Sequence, residues 1–295
     1  MLFLLTACGS GAQPAATVSL SNLSPLPTPA LDVVPLRVAV AAVISPKGTV
    51  ESYAPLLDYL GQKLNRPVEL VQRRTYMEVN DLIEQGGVDL AFVCTSAYIV
   101  GDEDFGMELL AAPQVKGETV YHAYLIVPAN SQARDMADLK DKVFAFTDPI
   151  SLTGRAYPTA LVQQLGATPE TFFSRTFFTY SHDEAIYAVA NGLADGASVD
   201  SLVFDYALSR DPSLAQKVKV IHQSPPFGIP PVVVNPNLRP QVKADLQALL
   251  LGMNQDPAGQ AALSAIGIER FVTLDDSAYV TARLLIQEVP LPGVP

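Results

Sequence analysis

Apolar strands that run straight into hydroxyl-bearing turns and then into helices constrain this chain more than any other feature. The segment from Val88 to Cys94 leads into Thr95, Ser96, Ala97 and Tyr98. The segment from Val143 to Asp148 leads into Pro149, Ile150, Ser151, Leu152, Thr153 and Gly154. A third, from Thr176 to Tyr180, leads into Ser181, His182 and Asp183. The first N–H groups of a helix lack intrahelical partners and carry roughly +0.5 of a charge, so the N-terminus is a ready anion site. Serine and threonine there either cap the helix or turn their hydroxyls toward a bound oxyanion. In an alternating α/β chain the pattern gathers strand ends at a crevice. The residues therefore point to a binding protein for a small oxyanion.

The alternation itself is regular. Leu36 to Ala41 reads as the first strand. Leu56, Leu57, Leu60 and Leu64 share one stripe and predict a helix over 53–64, with Pro55 in its first turn. A strand over 68–72 follows, then a helix from Tyr76 to Gln85 that ends at Gly86 and Gly87. Val120 to Val127 reads as one longer strand, after which the rhythm restarts: strand 143–148, helix 154–165, strand 177–180, helix 183–191, strand 195–199, helix 201–209 and strand 218–222. A Pro-rich passage over 225–231 leads into Val232, and the tail holds helical stretches over 241–253, 258–266 and 276–287. Two such clusters joined by two crossings predict an α/β protein of two lobes, each a mainly parallel sheet flanked by helices. Lobe one is expected to hold 36–124 and 232–295, and lobe two 125–231, with the ligand between them and the crossing strands as a hinge.

The ends and the composition narrow the class further. Leu5, Thr6, Ala7 and Cys8 close a short apolar stretch and resemble the lipobox of bacterial lipoproteins, in which the cysteine carries a lipid. Residues 1–8 are thus expected to be a residual lipoprotein signal peptide, and Cys8 the lipidation site. Residues 9–35, rich in Ser, Ala, Thr and Pro, read as a flexible tether. Lipid anchoring to the outer face of the cell membrane, or a periplasmic location, follows. Cys94 is expected to be a buried, inert thiol. With His122, His182 and His222 the only histidines, neither a disulfide framework nor a zinc site is expected, and no cofactor. A formal charge of -11 argues against nucleic acid as a partner. It does not exclude an anion, because long-range charge is screened within about 8 Å at physiological salt while a pocket of N–H and O–H donors stays locally positive.

Several stretches resemble those of the phosphate/phosphite/phosphonate-binding lipoproteins of ABC importers: Tyr53 to Leu60, Val88 to Tyr98, Phe146 to Gly154 with Pro158, and Tyr180 to Asp200. The resemblance implies the type II periplasmic-binding-protein fold. It also implies capture of a small phosphorus oxyanion and delivery to an ABC permease and its ATPase, by a monomer that is not an enzyme. It further implies that Tyr53 reaches the cleft from a loop before the first helix, and that Thr95 and Ser96, with Tyr98 nearby, donate from lobe one. Ser151 and Thr153, with the amide of Gly154, would hold oxygens from lobe two. His182 would lie against the anion, and Asp200 would stand at the cleft wall or cap the helix that starts at Ser201. In aminophosphonate binders of the family an acidic residue just before the return strand holds the ligand's amine. Here the segment from Ser224 to Pro230 has no carboxylate, which implies weak binding of 2-aminoethylphosphonate. A ligand-binding sensor of the same fold is the alternative. An enzyme acting on a small ester or phosphoester is less favoured, since adjacent Ser181, His182 and Asp183 rarely align as a triad and no nucleophile elbow or metalloprotease motif is present.

Overall fold

The computed structural model describes residues 34–289 and Leu291, so Cys8, the leader and the tether up to residue 33 lie outside the described residues. In chain order the strands are β1 (Leu36–Val40), β2 (Val68–Val71), β3 (Leu90–Phe92), β4 (Glu108–Gln114), β5 (Val120–Tyr121), β6 (Ala123–Pro128), β7 (Val143–Phe146), β8 (Arg175–Phe178), β9 (Gly196–Asp200), β10 (Val218–Gln223), β11 (Phe227–Gly228), β12 (Val232–Val234) and β13 (Arg270–Val272). The helices are α1 (Pro46–Leu64), α2 (Tyr76–Glu84), α3 (Thr95–Phe105), α4 (Tyr157–Gln164), α5 (Pro169–Phe172), α6 (His182–Ala190), α7 (Ser201–Arg210), α8 (Pro240–Gly252), α9 (Pro257–Ala265) and α10 (Val280–Glu288).

Two sheets form the two lobes. One runs β13-β4-β12-β3-β1-β2 and the other β10-β6-β9-β7-β8; a two-stranded antiparallel ribbon, β5 with β11, carries the chain between them. The parallel expectation holds for β2-β1-β3 and for β8-β7-β9, the strands linked by helical crossovers. Elsewhere the sheets are antiparallel: β12 with β3 and β4, β13 with β4, β6 with β9, and β10 with β6. The reason is connectivity. The chain enters β12 from the other lobe, without the crossover helix that a parallel neighbour requires.

Other departures from the sequence reading are local. Helix α1 begins at Pro46 rather than Tyr53, so Pro55 is inside the helix and not in its first turn. The first turns, with Gly48, Thr49 and Val50, carry no leucine stripe. They are ordered by burial of Thr49 and Ser52 and by the amide of Ser45, which donates to Asp183 Oδ1 across the cleft at 2.8 Å. The long strand over 120–127 is broken at His122, whose amide donates to Ser201 Oγ at 3.0 Å. That break separates the ribbon from the second sheet. The helix expected from Gly154 starts as a π-helical turn over Leu152–Ala156 before α4. By contrast α2 ends as read, with Gly86 in the left-handed region at φ +66. Its start is a capping box: Thr75 Oγ1 accepts the amide of Glu78, and the Glu78 carboxylate accepts the amide of Thr75.

Each lobe has its own core. Leu36, Val38, Leu60, Leu90, Val232 and Leu250 fill the first; Ile126, Ala145, Ile186, Val199 and Phe204 fill one face of the second. A further cluster crosses the cleft, bringing Tyr76, Cys94, Tyr98 and Tyr121 of the first lobe and ribbon against Ile150, Leu152 and Tyr157 of the second. The ribbon tolerates little change. A Cβ on Gly228 would stand 2.6 Å from the backbone oxygen of Ala278. Gly228→Ala is therefore expected to cost about 1–3 kcal/mol of stability, by the usual penalty for overpacking, read as a lowered urea midpoint with an unchanged slope; a wild-type midpoint would show that the ribbon yields.

Candidate functional site

The cleft is lined by helix starts. Helices α2, α3, α6 and α7 and the π-helical turn begin at Tyr76, Thr95, His182, Ser201 and Leu152, and the starts of α2, α3 and α6 touch the opposite lobe through Tyr76, Ser96 and His182. No side chain caps α3 or α6. Ser151 caps the π-helical turn, its Oγ accepting the Gly154 amide at 3.1 Å, which leaves its own proton to donate elsewhere. Asp200 caps α7, with Oδ1 accepting the amides of Leu202 at 2.7 Å and Val203 at 3.2 Å. The structure thus realises the capping role considered for Asp200.

Around these helix starts stand buried hydroxyls with no hydrogen-bond partner: Tyr76, Tyr121, Thr147, Thr153 and Ser181. Leaving a buried hydroxyl unpaired costs about 1–3 kcal/mol, so such a group in a native fold calls for a partner. The Tyr121 hydroxyl lies beside Cys94 and Thr95 without an aligned bond to either. Burial raises the Tyr76 hydroxyl far above its ordinary pKa, and the fields of Cys94, Asp148, Asp200 and Tyr121 add to the rise. Thr147 Oγ1 sits where a Cβ on Gly154 would fall, at 1.8 Å, which is why position 154 takes glycine. The Thr153 backbone is fixed by Ser198 Oγ, which donates to its carbonyl at 2.6 Å.

The expected donors of lobe one have other duties. Thr95 Oγ1 donates to the carbonyl of Gly228 at 2.8 Å, holding α3 to the ribbon. Ser96 Oγ donates across the cleft to the carbonyl of Ile150. Tyr98 turns away from the cleft: its hydroxyl donates to Asp276 Oδ1 at 2.8 Å and its ring packs on Tyr279. Tyr53 comes from the interior of α1, not from a preceding loop, and packs edge-on against Phe92 at 5.2 Å between ring centres. Among the described residues the tyrosines with a fully buried, unpartnered hydroxyl are Tyr76 and Tyr121, and Tyr53 lines the cavity beside Asp200. The signal for Tyr76 was its place behind Thr75 in a capping box; Tyr121 had none beyond being polar in a buried strand.

His182 is buried and its Nδ1 accepts the amide of Asp200 at 3.0 Å. Burial lowers its pKa to about 3, so the ring is neutral at pH 7 with its proton on Nε2. Asp183 is occupied by Ser45, so Ser181, His182 and Asp183 form no relay. Asp200 is pushed up to about 7 by burial, against the lowering effect of the two amides it caps. Among the described residues no group of His, Cys, Asp or Glu is placed to hold a metal ion.

The lobes are drawn together in this structure. Asp148 of lobe two accepts the amide of Tyr76 at 3.1 Å, capping α2 from across the cleft, and the His182 amide donates to the carbonyl of Val43 at 2.9 Å. Ser52 Oγ and the Tyr206 hydroxyl meet at 2.8 Å, and the Arg74 guanidinium lies 4.0 Å from the centre of the Tyr180 ring. Beyond Asp200 the cleft widens into a mainly apolar cavity of about 390 Å³, lined among others by Tyr53, Phe92, Leu202, Ile229 and Ile268.

The family described as the periplasmic substrate-binding protein of the phosphonate ABC transporter matches residues 38–279. The "Phosphate-import protein PhnD" of Mycolicibacterium smegmatis is 27% identical over 209 residues, 67% of this chain and 65% of that protein, so the match spans about two thirds of that relative's length. The "Phosphonates-binding periplasmic protein" of Escherichia coli K12 is 25% identical over 264 residues, 88% of this chain and 78% of that protein. A crystal structure of a binding-protein component of an ABC phosphonate transporter from Pseudomonas aeruginosa shares the fold at a TM-score of 0.81, with 22% identity over 86% of each chain.

The raised pKa of Asp200 fixes the sign of two pH effects. Near pH 6 the folded chain holds a proton on Asp200 that the unfolded chain has released, so this group's contribution to stability falls as pH rises from about 4, the unfolded carboxylate value, toward the folded value of about 7. Above about 7 the ionised carboxylate also repels an anion in the cleft. Asp200→Asn keeps the acceptor for α7 and places an N–H where the acid's O–H stands. Relative to wild type, the variant is expected to lose less stability from pH 4 to 7 in urea titrations and less anion affinity from pH 6 to 8 in calorimetry. Parallel pH profiles for the two proteins would remove Asp200 from the anion's surroundings.

Proposed function

Since this chain belongs to the family of ABC-transporter periplasmic phosphonate-binding proteins, we propose that it captures a small phosphorus oxyanion (phosphate, phosphite or a phosphonate) between its lobes and hands it to an ABC permease and ATPase. The observation that carries the reading is the set of unpartnered buried hydroxyls on Tyr76, Tyr121, Thr147, Thr153 and Ser181. A tetrahedral oxyanion offers several acceptors, and a closed cleft must satisfy all of them or pay several kcal/mol of desolvation. Tyr76 and Tyr121 would donate from lobe one and the ribbon. Ser151, Thr153, Ser181 and the Nε2–H of His182 would donate from lobe two, whereas the amide expected of Gly154 is engaged by Ser151 Oγ. Asp200, protonated, would donate its O–H at the wall.

Neutral donors and helix N-termini let an acidic protein hold an anion without a buried cation, and make the anion the bond between the lobes. In this scheme 36–124 with 232–295 and 125–231 are the two moving bodies, and Thr95 and Ser96 act by holding α3 against the ribbon and the facing loop. Cys8 would tether a monomer to the outer face of the cell membrane.

Thr153→Val removes one unpartnered hydroxyl at constant shape. The unliganded variant is expected to be as stable as wild type or more so. Its affinity for phosphate, phosphite or methylphosphonate is expected to fall by roughly ten-fold or more, the worth of a hydrogen bond to a charged group, about 1.5–3 kcal/mol. Tyr76→Phe is expected to behave likewise. A thermal-shift series over those anions and sulfate reads both, since ligand at about 100 times its dissociation constant adds about 2.7 kcal/mol. Wild-type shifts in both variants would displace the anion from this site; no shift with any phosphorus anion in wild type would end the reading.

A further inference from the structure

Lys116 and Arg74 both reach from the first lobe to the second, and they do so differently. Lys116 pairs with Asp205 at 3.0 Å, so the two charges cancel. The Arg74 guanidinium instead lies 4.0 Å from the centre of the Tyr180 ring. Arg74 is exposed, and among the described residues it forms no ion pair. Arg155 also rests on a ring, 4.3 Å from the centre of Phe146, but Glu170 pairs with it at 3.7 Å. Arg74 is thus a cation held across the cleft with its charge uncancelled. It stands two residues before Tyr76, and Tyr180 directly precedes Ser181 and His182. The contact therefore joins the two stretches that bury unpartnered hydroxyls at Tyr76 and Ser181.

Tyr180 is held for this contact. Its φ of +60 lies in the left-handed region, where asparagine and glycine sit at less cost than tyrosine. Its amide donates to the Thr147 carbonyl at 2.9 Å. Phe178 backs its ring at 6.1 Å between ring centres and stands 5.7 Å from Phe146 in turn. Backbone strain kept in place under a fixed ring points to a use for the ring.

We propose that Arg74 and Tyr180 are the latch of the anion site: the guanidinium closes over the ring from the opposite lobe and holds the cleft shut on its anion. The inference rests on the reading of the hydroxyl cluster as the anion site. A ring attracts the cation through its quadrupole without bringing a negative charge. A carboxylate at position 180 would hold Arg74 as well, but it would cancel the charge and repel the anion. With the lobes apart, the same guanidinium stands free beside Tyr76 and attracts the anion within the screening distance of about 8 Å. The planar guanidinium stacks where an ammonium does not, so arginine and lysine are not equivalent here.

The test joins two measurements on the full chain. Hydrogen exchange in the unliganded protein reads closure at the amides of Ser45, Tyr76 and His182, which bond across the cleft. Calorimetry reads the Kd of inorganic phosphate, phosphite and methylphosphonate. Arg74→Gln and Tyr180→Asn, the latter suited to the left-handed backbone, are each expected to speed exchange at the three amides about two- to five-fold, the worth of an exposed cation–π contact. Each is expected to weaken all three anions by a similar factor, since the latch touches no substituent on phosphorus. The double variant is expected to be no worse than the worse single one. Arg74→Lys is expected to exchange like Arg74→Gln while losing less affinity, because it keeps the charge. Wild-type exchange in Arg74→Gln with anions still bound overturns the latch and leaves the anion reading standing. Additive losses in the double variant overturn the pairing of the two residues. Failure of every phosphorus anion to bind wild type defeats the anion reading and this inference with it.

Discussion

Hydrogen-bond donors buried without acceptors of their own in the protein are the constraint on which the rest of this structure turns. Tyr76, Tyr121, Thr147, Thr153 and Ser181 each bury a hydroxyl that nothing in the protein satisfies. In a fold whose net stability is typically 5–15 kcal/mol, several such groups at about 1–3 kcal/mol each form a substantial deficit. In the proposed reading an acceptor-rich anion would remove that deficit, as nothing apolar could. Helix starts at Thr95, Leu152, His182 and Ser201 add partial positive charge to the same place. In the proposed reading, donors of this kind let a chain with formal charge -11 hold an anion.

Closure uses the same chemistry. Asp148 caps α2 and Asp183 holds the amide that precedes α1, so carboxylates of lobe two sit at helix starts of lobe one. Each is a hydrogen bond from a backbone amide at the start of a lobe-one helix to a carboxylate of lobe two. Separating the lobes would break both bonds, while α2 would keep the capping box of Thr75 and Glu78. The ribbon of β5 and β11 that joins the sheets is held in place: Thr95 is bonded to it, and Gly228 packs too tightly against Ala278 to accept a side chain.

The βα rhythm, the Gly86 stop of α2, the crossing passages and the helix starts at Thr95, Ser151, His182 and Ser201 were legible in the residues, because strand and helix periodicity and capping are local. The start of α1 was not, since Gly48 and Thr49 give no helical signal and are ordered by burial and by a partner from the other lobe. The antiparallel strands were missed for a similar reason: direction in β12 is set by where the chain returns from, not by its own composition. Within the site, Ser151, Thr153 and His182 were visible as hydroxyl and imidazole groups at helix starts. Tyr98 and Tyr76 are both tyrosines in the first turns of helices, and only packing shows that the first is bonded to Asp276 while the second is left without a partner.

The sequence by itself determined that strands would feed hydroxyl-bearing helix starts, and that two clusters of such units would be joined by paired crossings, because those properties depend on near neighbours in the chain. Only the tertiary structure decided which hydroxyls would be engaged and which left free, and that the space beyond Asp200 would be apolar. A hydroxyl's partner, and the wall of a cavity, come from residues far apart in sequence: Thr95 is answered by Gly228, Ser96 by Ile150, and Ile229 stands in one wall with Phe92 and Ile268.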